Sequence, residues 1–154
     1  MAAVNVTEIR IKLLVGQPDK LRAFASLTLD GELVVRDLKV IDGPDGPFVA
    51  MPSRKLCDKC SRCGGKNHLR ARFCNDCGMR LKEHRGALDV RGKPRLYADI
   101  AHPIHQQARG ALERAILDAY RAELEKSQQA GYVAPRFDDL DYEQYEQQAG
   151  EGAP

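Results

Sequence analysis

Alternating apolar and polar residues in the first third of the chain predict four β-strands. Apolar side chains recur at every second position, which is the period of a strand buried on one face. Asp30-Gly31 lies between the second and third of these runs and favours a tight hairpin, because both residues tolerate positive φ. The predicted strands cover residues 7–15, 21–29, 32–41 and 48–51. A Gly/Pro/Asp loop over 42–47 separates the last two.

Farther along, residues 96–101 suggest a fifth strand, and residues 104–128 have the 3.6-residue period of one amphipathic helix. Pro103 fits the start of this helix, where its missing N–H is harmless. The apolar face contains Ala108, Leu112, Ala115, Ile116, Ala119 and Tyr120. The opposite, charged face contains Arg114, Asp118, Arg121 and Glu125. Strands followed by one long helix predict an α+β fold.

Arg109 falls on the apolar side of the predicted helix, in line with Leu112 and Ile116. We therefore expect its guanidinium to meet the sheet or a partner carboxylate.

The composition is that of a soluble globular protein, with 154 residues, 43% hydrophobic and 30% charged. No apolar run approaches the roughly 20 residues that span a bilayer. The first eight residues contain neither a basic region nor an apolar signal core. We expect a cytoplasmic protein with no membrane partner.

Charge is strongly segregated along the chain. Residues 53–95 hold 13 Lys/Arg and 4 Asp/Glu, a net charge of +9, although the whole chain has only +2. Residues 137–154 hold six acidic residues and no basic one. A locally basic segment attracts polyanions whatever the global charge.

All five cysteines lie within residues 57–77 and resemble metal ligands more than disulfide partners. Two Cys-x-x-Cys-Gly knuckles supply Cys60, Cys63, Cys74 and Cys77, each pair followed by a glycine that can adopt positive φ. Ten intervening residues allow a short hairpin between the knuckles. Four thiolates predict a closed, structural Zn²⁺ site, with an iron–sulfur centre or redox thiols as alternatives.

Other candidate ligands are less favoured. Cys57 could replace Cys63 in an alternative pair with Cys60, but the Cys60/Cys63 choice gives both knuckles their glycine. His68 and His84 are expected at the surface.

Basic residues surround the cysteines and leave the segment near +7 even after a zinc–tetrathiolate centre contributes −2. Phosphate neutralisation by such residues gives sequence-independent affinity for DNA or RNA. The predicted contacts are Arg62, Lys66, Arg70 and Arg72. Phe73 is the one aromatic residue within this segment, which argues against a base-stacking surface.

Both flanks of the cysteine segment resemble the stage V sporulation protein G (SpoVG, septation protein) family. The similar stretches are Thr28-Leu29-Asp30, Val40-Ile41-Asp42-Gly43, Phe48-Val49-Ala50-Met51-Pro52-Ser53, Asp99-Ile100-Ala101-His102-Pro103-Ile104, Ala108-Arg109-Gly110 and Tyr120. The resemblance covers about residues 4–126 apart from an insertion of about 40 residues, where the family has a short connection.

This resemblance implies a small antiparallel sheet with one packed C-terminal helix, and a homodimer that binds DNA or RNA and regulates genes. The family name implies links to septation and sporulation. The family's helix is implicated in nucleic-acid contact, which points to Arg109, Arg114 and Arg121 here.

The expected organisation is therefore a SpoVG-like domain over 1–55 and 96–130, interrupted by a zinc ribbon and basic linker over 56–95. Residues 131–154 are expected to form an acidic, disordered tail.

The leading functional hypothesis is a nucleic-acid-binding regulator. The alternatives are a protein-interaction adaptor that docks through the ribbon, and a zinc or redox sensor. No plausible nucleophile–base pair or phosphate loop suggests an enzyme. His102 and His105 lie near Asp99, but we expect His102 to fix the turn into the helix.

Overall fold

The computed structural model describes residues 4–14, 16 and 19–135. The chain divides into two compact units. We call Met1–Ala50 together with Pro103–Pro154 the sheet unit, and Met51–His102 the cysteine unit. The predicted boundaries, at 56 and 95, lie inside the cysteine unit.

The sheet unit contains four antiparallel strands in the order in which they follow one another along the chain. These are β1 (Val6–Leu13), β2 (Leu21–Leu29), β3 (Leu33–Gly43) and β4 (Gly46–Ala50). Together with one C-terminal helix they confirm the predicted α+β fold.

Two tight turns set the register of this sheet. Asp30 (φ 52°) and Gly31 (φ 66°) form the predicted positive-φ turn, and the Glu32 N–H donates to the Leu29 carbonyl at 3.0 Å. The predicted 42–47 loop is shorter than expected, because β3 and β4 extend into it until Gly43 pairs with Gly46.

Helix α1 (Gln106–Ser127) packs against β1 and β4, the two edge strands, and so crosses the face of the sheet. Ile116 on α1 is completely buried. The other buried apolar residues of the sheet unit are Ile11, Ala23, Ala25, Leu27, Leu38, Val40 and Val49. The predicted charged face of α1 is exposed. Arg109 is exposed too, so it is not buried against the sheet, and its contact with a partner carboxylate stays a prediction.

The helix begins after Pro103 rather than at it. His105 is the N-cap residue, with extended backbone, and its Nδ1 accepts a hydrogen bond from the Ala108 N–H at 3.1 Å. A side-chain acceptor at this position satisfies one of the free N–H groups of the first turn. The cap therefore fixes the start of α1.

The cysteine unit contains two small antiparallel sheets. The first pairs β5 (Ser53–Lys55) with β8 (Tyr97–Asp99), and the second pairs β6 (Cys57–Lys59) with β7 (Lys66–His68). The predicted fifth strand is thus shorter than residues 96–101, and it pairs with β5 instead of joining the four-stranded sheet.

Leu56 joins the two small sheets into one ladder. Its N–H donates to the Leu96 carbonyl at 2.8 Å, and its carbonyl accepts from the Leu69 N–H at 3.1 Å. The N–H and C=O of one strand residue point to the same edge of the strand. Hence β8 and then β7 pair along a single edge of one extended segment, residues 53–59.

Beyond α1, the Tyr132 hydroxyl donates to the Glu123 carboxylate at 2.7 Å, and this bond raises the pKa of Tyr132 to about 12. The rest of the predicted disordered tail, from residue 136, lies outside the described residues. None of the helices in the described part of the chain is long and apolar enough to cross a membrane.

Candidate metal centre and basic surface

The first knuckle is the turn that connects β6 to β7. The Cys60 N–H donates to the Gly65 carbonyl at 2.8 Å, and the Gly64 N–H donates to the Cys60 carbonyl at 2.9 Å. Gly64 has a φ of +75°, as the motif predicts. The Arg62 N–H points at Cys60 Sγ and the Gly65 N–H at Cys63 Sγ, each at 3.4 Å. The predicted hairpin therefore encloses the first knuckle instead of separating the two knuckles.

The second knuckle repeats this geometry outside any strand. The Cys74 N–H donates to the Met79 carbonyl at 2.8 Å, and the Gly78 N–H donates to the Cys74 carbonyl at 3.0 Å. Gly78 has a φ of +76°, and the Asp76 N–H points at Cys74 Sγ at 3.4 Å. Backbone N–H groups aimed at the sulfurs stabilise thiolates in both knuckles.

The two knuckles bring their four sulfur atoms within 4.8 Å of one another. Cys60 Sγ lies 3.8 Å from Cys77 Sγ, and Cys63 Sγ lies 3.5 Å from Cys74 Sγ. An ideal tetrahedron with metal–sulfur bonds of about 2.3 Å has edges of about 3.8 Å. The donor set therefore fits one tetrahedral ion, and these four residues could hold a metal.

Cys57 lies outside this group of described ligands. Its side chain is exposed, and its Sγ is 3.5 Å from the Lys55 carbonyl oxygen. His68 and His84 are exposed as well and lie outside the group.

The clustered thiols do not share one pKa. The backbone N–H of Cys77 and the side chain of Asn67 lower the pKa of Cys74 to about 6. The Gly65 N–H lowers the pKa of Cys63, but the neighbouring Cys74 and burial outweigh it and raise the value to about 12. Without a cation, the second thiol therefore keeps its proton beside the first thiolate. A bound cation removes this repulsion.

Asn67 connects the two knuckles and was not anticipated from the sequence. It is 4% exposed, its side-chain oxygen accepts from the Asn75 N–H at 2.7 Å, and its amide NH₂ donates to the Gly65 carbonyl at 3.3 Å. Successive side chains of a strand point to opposite faces. Since Lys66 and His68 on β7 are exposed, the side chain of Asn67 between them points inward. A partner that orients the ligand loops in this way supports metal coordination from outside the ligand set.

Arg85 belongs to the interior of the cysteine unit and not to its basic surface. Its guanidinium lies 2.6 Å from the Asp58 carboxylate, and it donates to the carbonyls of His68, Ala71 and Lys82 at 3.0, 3.1 and 2.7 Å. Its side chain is only 12% exposed. One planar fork thus joins β6, β7 and the segment after the second knuckle.

The other twelve basic residues of 53–95 are all exposed. Among them are the four predicted nucleic-acid contacts: Arg62 in the first knuckle, Lys66 on β7, and Arg70 and Arg72 in the segment between β7 and the second knuckle. The structure places all four within one compact unit.

The predicted contacts on α1 are also exposed, but they belong to the other unit. Arg121 lies 3.3 Å from the Asp118 carboxylate, an exposed pair that partly neutralises it. Arg109 and Arg114 complete this set. In the cysteine unit, His102 Nδ1 lies 3.8 Å from Asp99, whereas the helix cap is provided by His105.

Comparison with known proteins supports the resemblance seen in the sequence. The SpoVG family model matches residues 4–122. A SpoVG septation protein of Finegoldia magna is 36% identical over 123 residues, covering 80% of both chains. One of Myxococcus xanthus is 32% identical over 138 residues, covering 90% of this chain and all of the relative. One of Priestia megaterium is 34% identical over 117 residues, covering 76% and 83%. A match over the whole four-stranded sheet, the cysteine unit and most of α1 shows that the chain belongs to the SpoVG family.

Proposed function

We propose that this protein binds nucleic acid through the exposed basic surface of its cysteine unit. The observation that carries the proposal is that only Arg85, of the 13 basic residues in 53–95, is packed inside. Two of the four acidic residues already have partners. Asp58 pairs with Arg85, and the Asp89 carboxylate accepts the backbone N–H groups of Arg91 and Lys93. Because Asp58 and Arg85 neutralise each other, twelve exposed basic residues face only three other acidic residues, and this strongly positive surface favours a polyanion.

One pair of residues supports this more locally. Lys59 on β6 lies directly opposite Lys66 on β7, and both are exposed. Like charges facing each other across antiparallel strands are destabilising. A bound phosphate between the two ammonium groups would relieve that repulsion.

We propose that zinc is the ion held by Cys60, Cys63, Cys74 and Cys77. The close packing of the four sulfurs leaves room for a single ion and not for a multi-iron cluster. When bound, zinc supplies folding free energy rather than catalysis, because four thiolates leave no coordination position open. The residues around the ion hold the basic surface in shape.

The role is accordingly one of binding rather than catalysis. Membership in a family named after septation supports a regulatory role in septation. In that role α1 would add nucleic-acid contacts through Arg109, Arg114 and Arg121.

The resemblance also supports a homodimer, and exposed Leu33 and Phe48 on the sheet unit offer apolar surface for it. Light scattering of the full chain would measure its mass.

The salt dependence of binding tests the proposal. A fluorescent duplex would be titrated with the full chain at several salt concentrations, and the logarithm of the affinity plotted against the logarithm of the salt concentration. Each phosphate contact contributes about 0.9 to the slope on duplex DNA. Replacing Arg62, Lys66, Arg70 and Arg72 together with Ala should flatten the slope and weaken all sequences about equally.

A matched control removes the same charge from the other unit. Lys12, Lys20, Lys39 and Lys126 replaced together with Ala should leave most of the slope. If both quadruple variants retain the slope of the parent chain, the cysteine unit does not contact phosphates. If both lose the same amount, net charge alone attracts the nucleic acid.

A protein-docking role is the second candidate, and two apolar side chains favour it. Leu88 and Val90 are 65% and 105% exposed in the segment before β8. Exposed apolar residues of this kind can mark a protein contact. An unchanged salt slope in the variant that lacks Arg62, Lys66, Arg70 and Arg72 would favour protein docking over nucleic-acid binding.

A further inference from the structure

A cleft lies in the cysteine unit where the two small sheets meet. Because β8 and β7 pair along the same edge of residues 53–59, a gap remains between the end of β7 and the start of β8. Residues from both sides of this gap line the cleft: Lys55, His68, Leu69, Arg70, Leu96 and Tyr97. Lys55 and Tyr97 are directly opposite each other in the β5–β8 register.

The lining combines an aromatic ring, apolar side chains and cations. Tyr97 is 49% exposed, so one part of its ring is free. Leu69 and Leu96 are half-buried, whereas Lys55 and Arg70 are exposed. A nucleobase has two flat apolar faces, and its backbone phosphates lie a short distance away. Stacking on an aromatic ring beside a cationic groove is how single strands are bound without sequence preference.

The size of the cleft narrows the choice of ligand. Its volume is about 90 Å³, well below the roughly 300 Å³ at which small-molecule pockets begin. A free nucleotide would leave most of its surface outside. One base of a longer strand is better suited, because neighbouring phosphates can reach the rest of the basic surface.

We propose that Tyr97 stacks on a base of single-stranded nucleic acid, while Lys55 and Arg70 contact the adjoining phosphates. This deepens the proposed nucleic-acid function and rests on it. A base inside a duplex has its faces covered by its neighbours, so the cleft favours unpaired strands. Phe73 is the one aromatic residue within residues 53–95, and Tyr97 lies just beyond this segment. The composition of the segment therefore did not indicate a stacking ring.

The test compares an oligothymidylate with an abasic oligomer of equal length and charge, bound by the full chain at one low salt concentration. The wild-type protein should bind the normal oligomer about tenfold more tightly, because only that oligomer can stack. Tyr97→Ala should lose this difference and Tyr97→Phe should keep it. Thermal melting of each variant checks that the fold is intact. A ribose oligomer run in parallel identifies the preferred sugar, and base dependence with either sugar supports the cleft.

A second aromatic residue provides the matched control. Phe73 is 60% exposed and lies outside the cleft, so Phe73→Ala should retain the base dependence. Equal binding of normal and abasic oligomers, with the steep salt slope retained, would overturn the cleft and leave the basic surface standing. Equal losses in the Phe73 and Tyr97 variants would also overturn it. Failure of the wild-type protein to bind either oligomer would overturn the cleft proposal, while the salt-dependent duplex titration decides separately whether the basic surface binds nucleic acid.

Discussion

The two units of this chain are stabilised by different means. The sheet unit buries eight apolar residues, including Ile116 of α1 and Val40 of β3, which are completely inaccessible. Among apolar residues, the cysteine unit buries only Pro52 and Leu81 besides Cys60 and Cys74, with Ala71 and Met79 partly covered beside Leu81. Its strands have only three residues each. Burial of apolar area can stabilise the first unit, whereas the second has mainly polar contacts and a cysteine cluster that could hold a metal.

This difference gives each unit its own sensitivity. A core of packed side chains responds to lost volume, and a metal-organised fold responds to lost ligands. The same unit that has only a small apolar core contains most of the exposed positive charge among the described residues. A coordinated ion allows a small unit to hold a charged surface in shape without a large interior.

The largest expected effect follows from breaking the cluster. Cys74→Ser should abolish stoichiometric metal binding and unfold the cysteine unit, because the free energy of zinc binding in such sites is about 10–16 kcal/mol. Metal analysis of the purified chain and hydrogen exchange of its peptides would show this, with the sheet unit still protected. Cys57→Ser is the control and should keep one ion per chain. Full metal retention in Cys74→Ser would refute the ligand set.

Acid should reproduce this effect gradually. The neighbouring thiols raise the pKa of Cys63 to about 12, so at neutral pH the metal displaces a proton from this sulfur. Lower pH favours the protonated thiol, and metal affinity should therefore fall as pH falls. Competition with a chromophoric chelator at several pH values, with proton release recorded in weak buffer, measures both quantities. A pH-independent affinity would contradict four thiolate ligands.

A cavity in the sheet unit should give the next largest effect. Ile116→Ala should lower the free energy of unfolding of that unit by about 2–5 kcal/mol, because the side chain is completely buried. Chemical denaturation followed by circular dichroism measures the loss, and metal content should not change. Ile104, which is 89% exposed, provides the matched control Ile104→Ala, with an effect below about 0.5 kcal/mol. Similar losses in the two variants would place the core elsewhere.

Loss of the hydrogen bonds and ion pair of Arg85 should lower the stability of the cysteine unit by an amount similar to that of the cavity in the sheet unit. Arg85→Ala leaves Asp58 and three carbonyls without their partner, at a cost of about 2–3 kcal/mol. The rate of metal transfer to an excess of chelator should rise accordingly. Arg85→Lys should recover only part of the stability, because one ammonium cannot replace the planar fork. The exposed Arg91 serves as the control, and an equal rate in Arg91→Ala would contradict a structural role for Arg85.

The smallest expected effect concerns the helix cap. His105→Ala should destabilise the sheet unit by about 1 kcal/mol, since the Ala108 N–H loses its acceptor. His105→Asn should restore most of the loss, because Asn is a strong N-cap residue. Chemical denaturation curves of the parent chain and the two variants measure the free energy of unfolding. Equal stability of all three would show that the cap contributes nothing measurable.

Local patterns were enough to predict the four strands of the sheet unit and α1, but not the short strands β5, β6 and β7 or the pairing partners in the cysteine unit. The strand over 21–29, the Asp30-Gly31 turn and the clustering of the two cysteine knuckles follow from period, turn chemistry and spacing. The pairing of Tyr97 with Lys55 depends on contacts distant in sequence, so neither the β5–β8 sheet nor the cleft beside it could be predicted from local pattern. The structural roles of Asn67 and Arg85 could not be predicted from the sequence. Whether a polar residue lies at the surface or forms hydrogen bonds in the interior depends on neighbours that are distant in sequence.

The most direct test of nucleic-acid binding by the cysteine unit is ultraviolet crosslinking of the full chain to single-stranded and duplex oligomers, followed by mass spectrometry of the crosslinked peptides. We predict crosslinks within residues 53–97, including the peptide that contains Tyr97 when the oligomer is single-stranded. Crosslinks confined to α1, or none from either oligomer, would contradict a nucleic-acid interface on the cysteine unit.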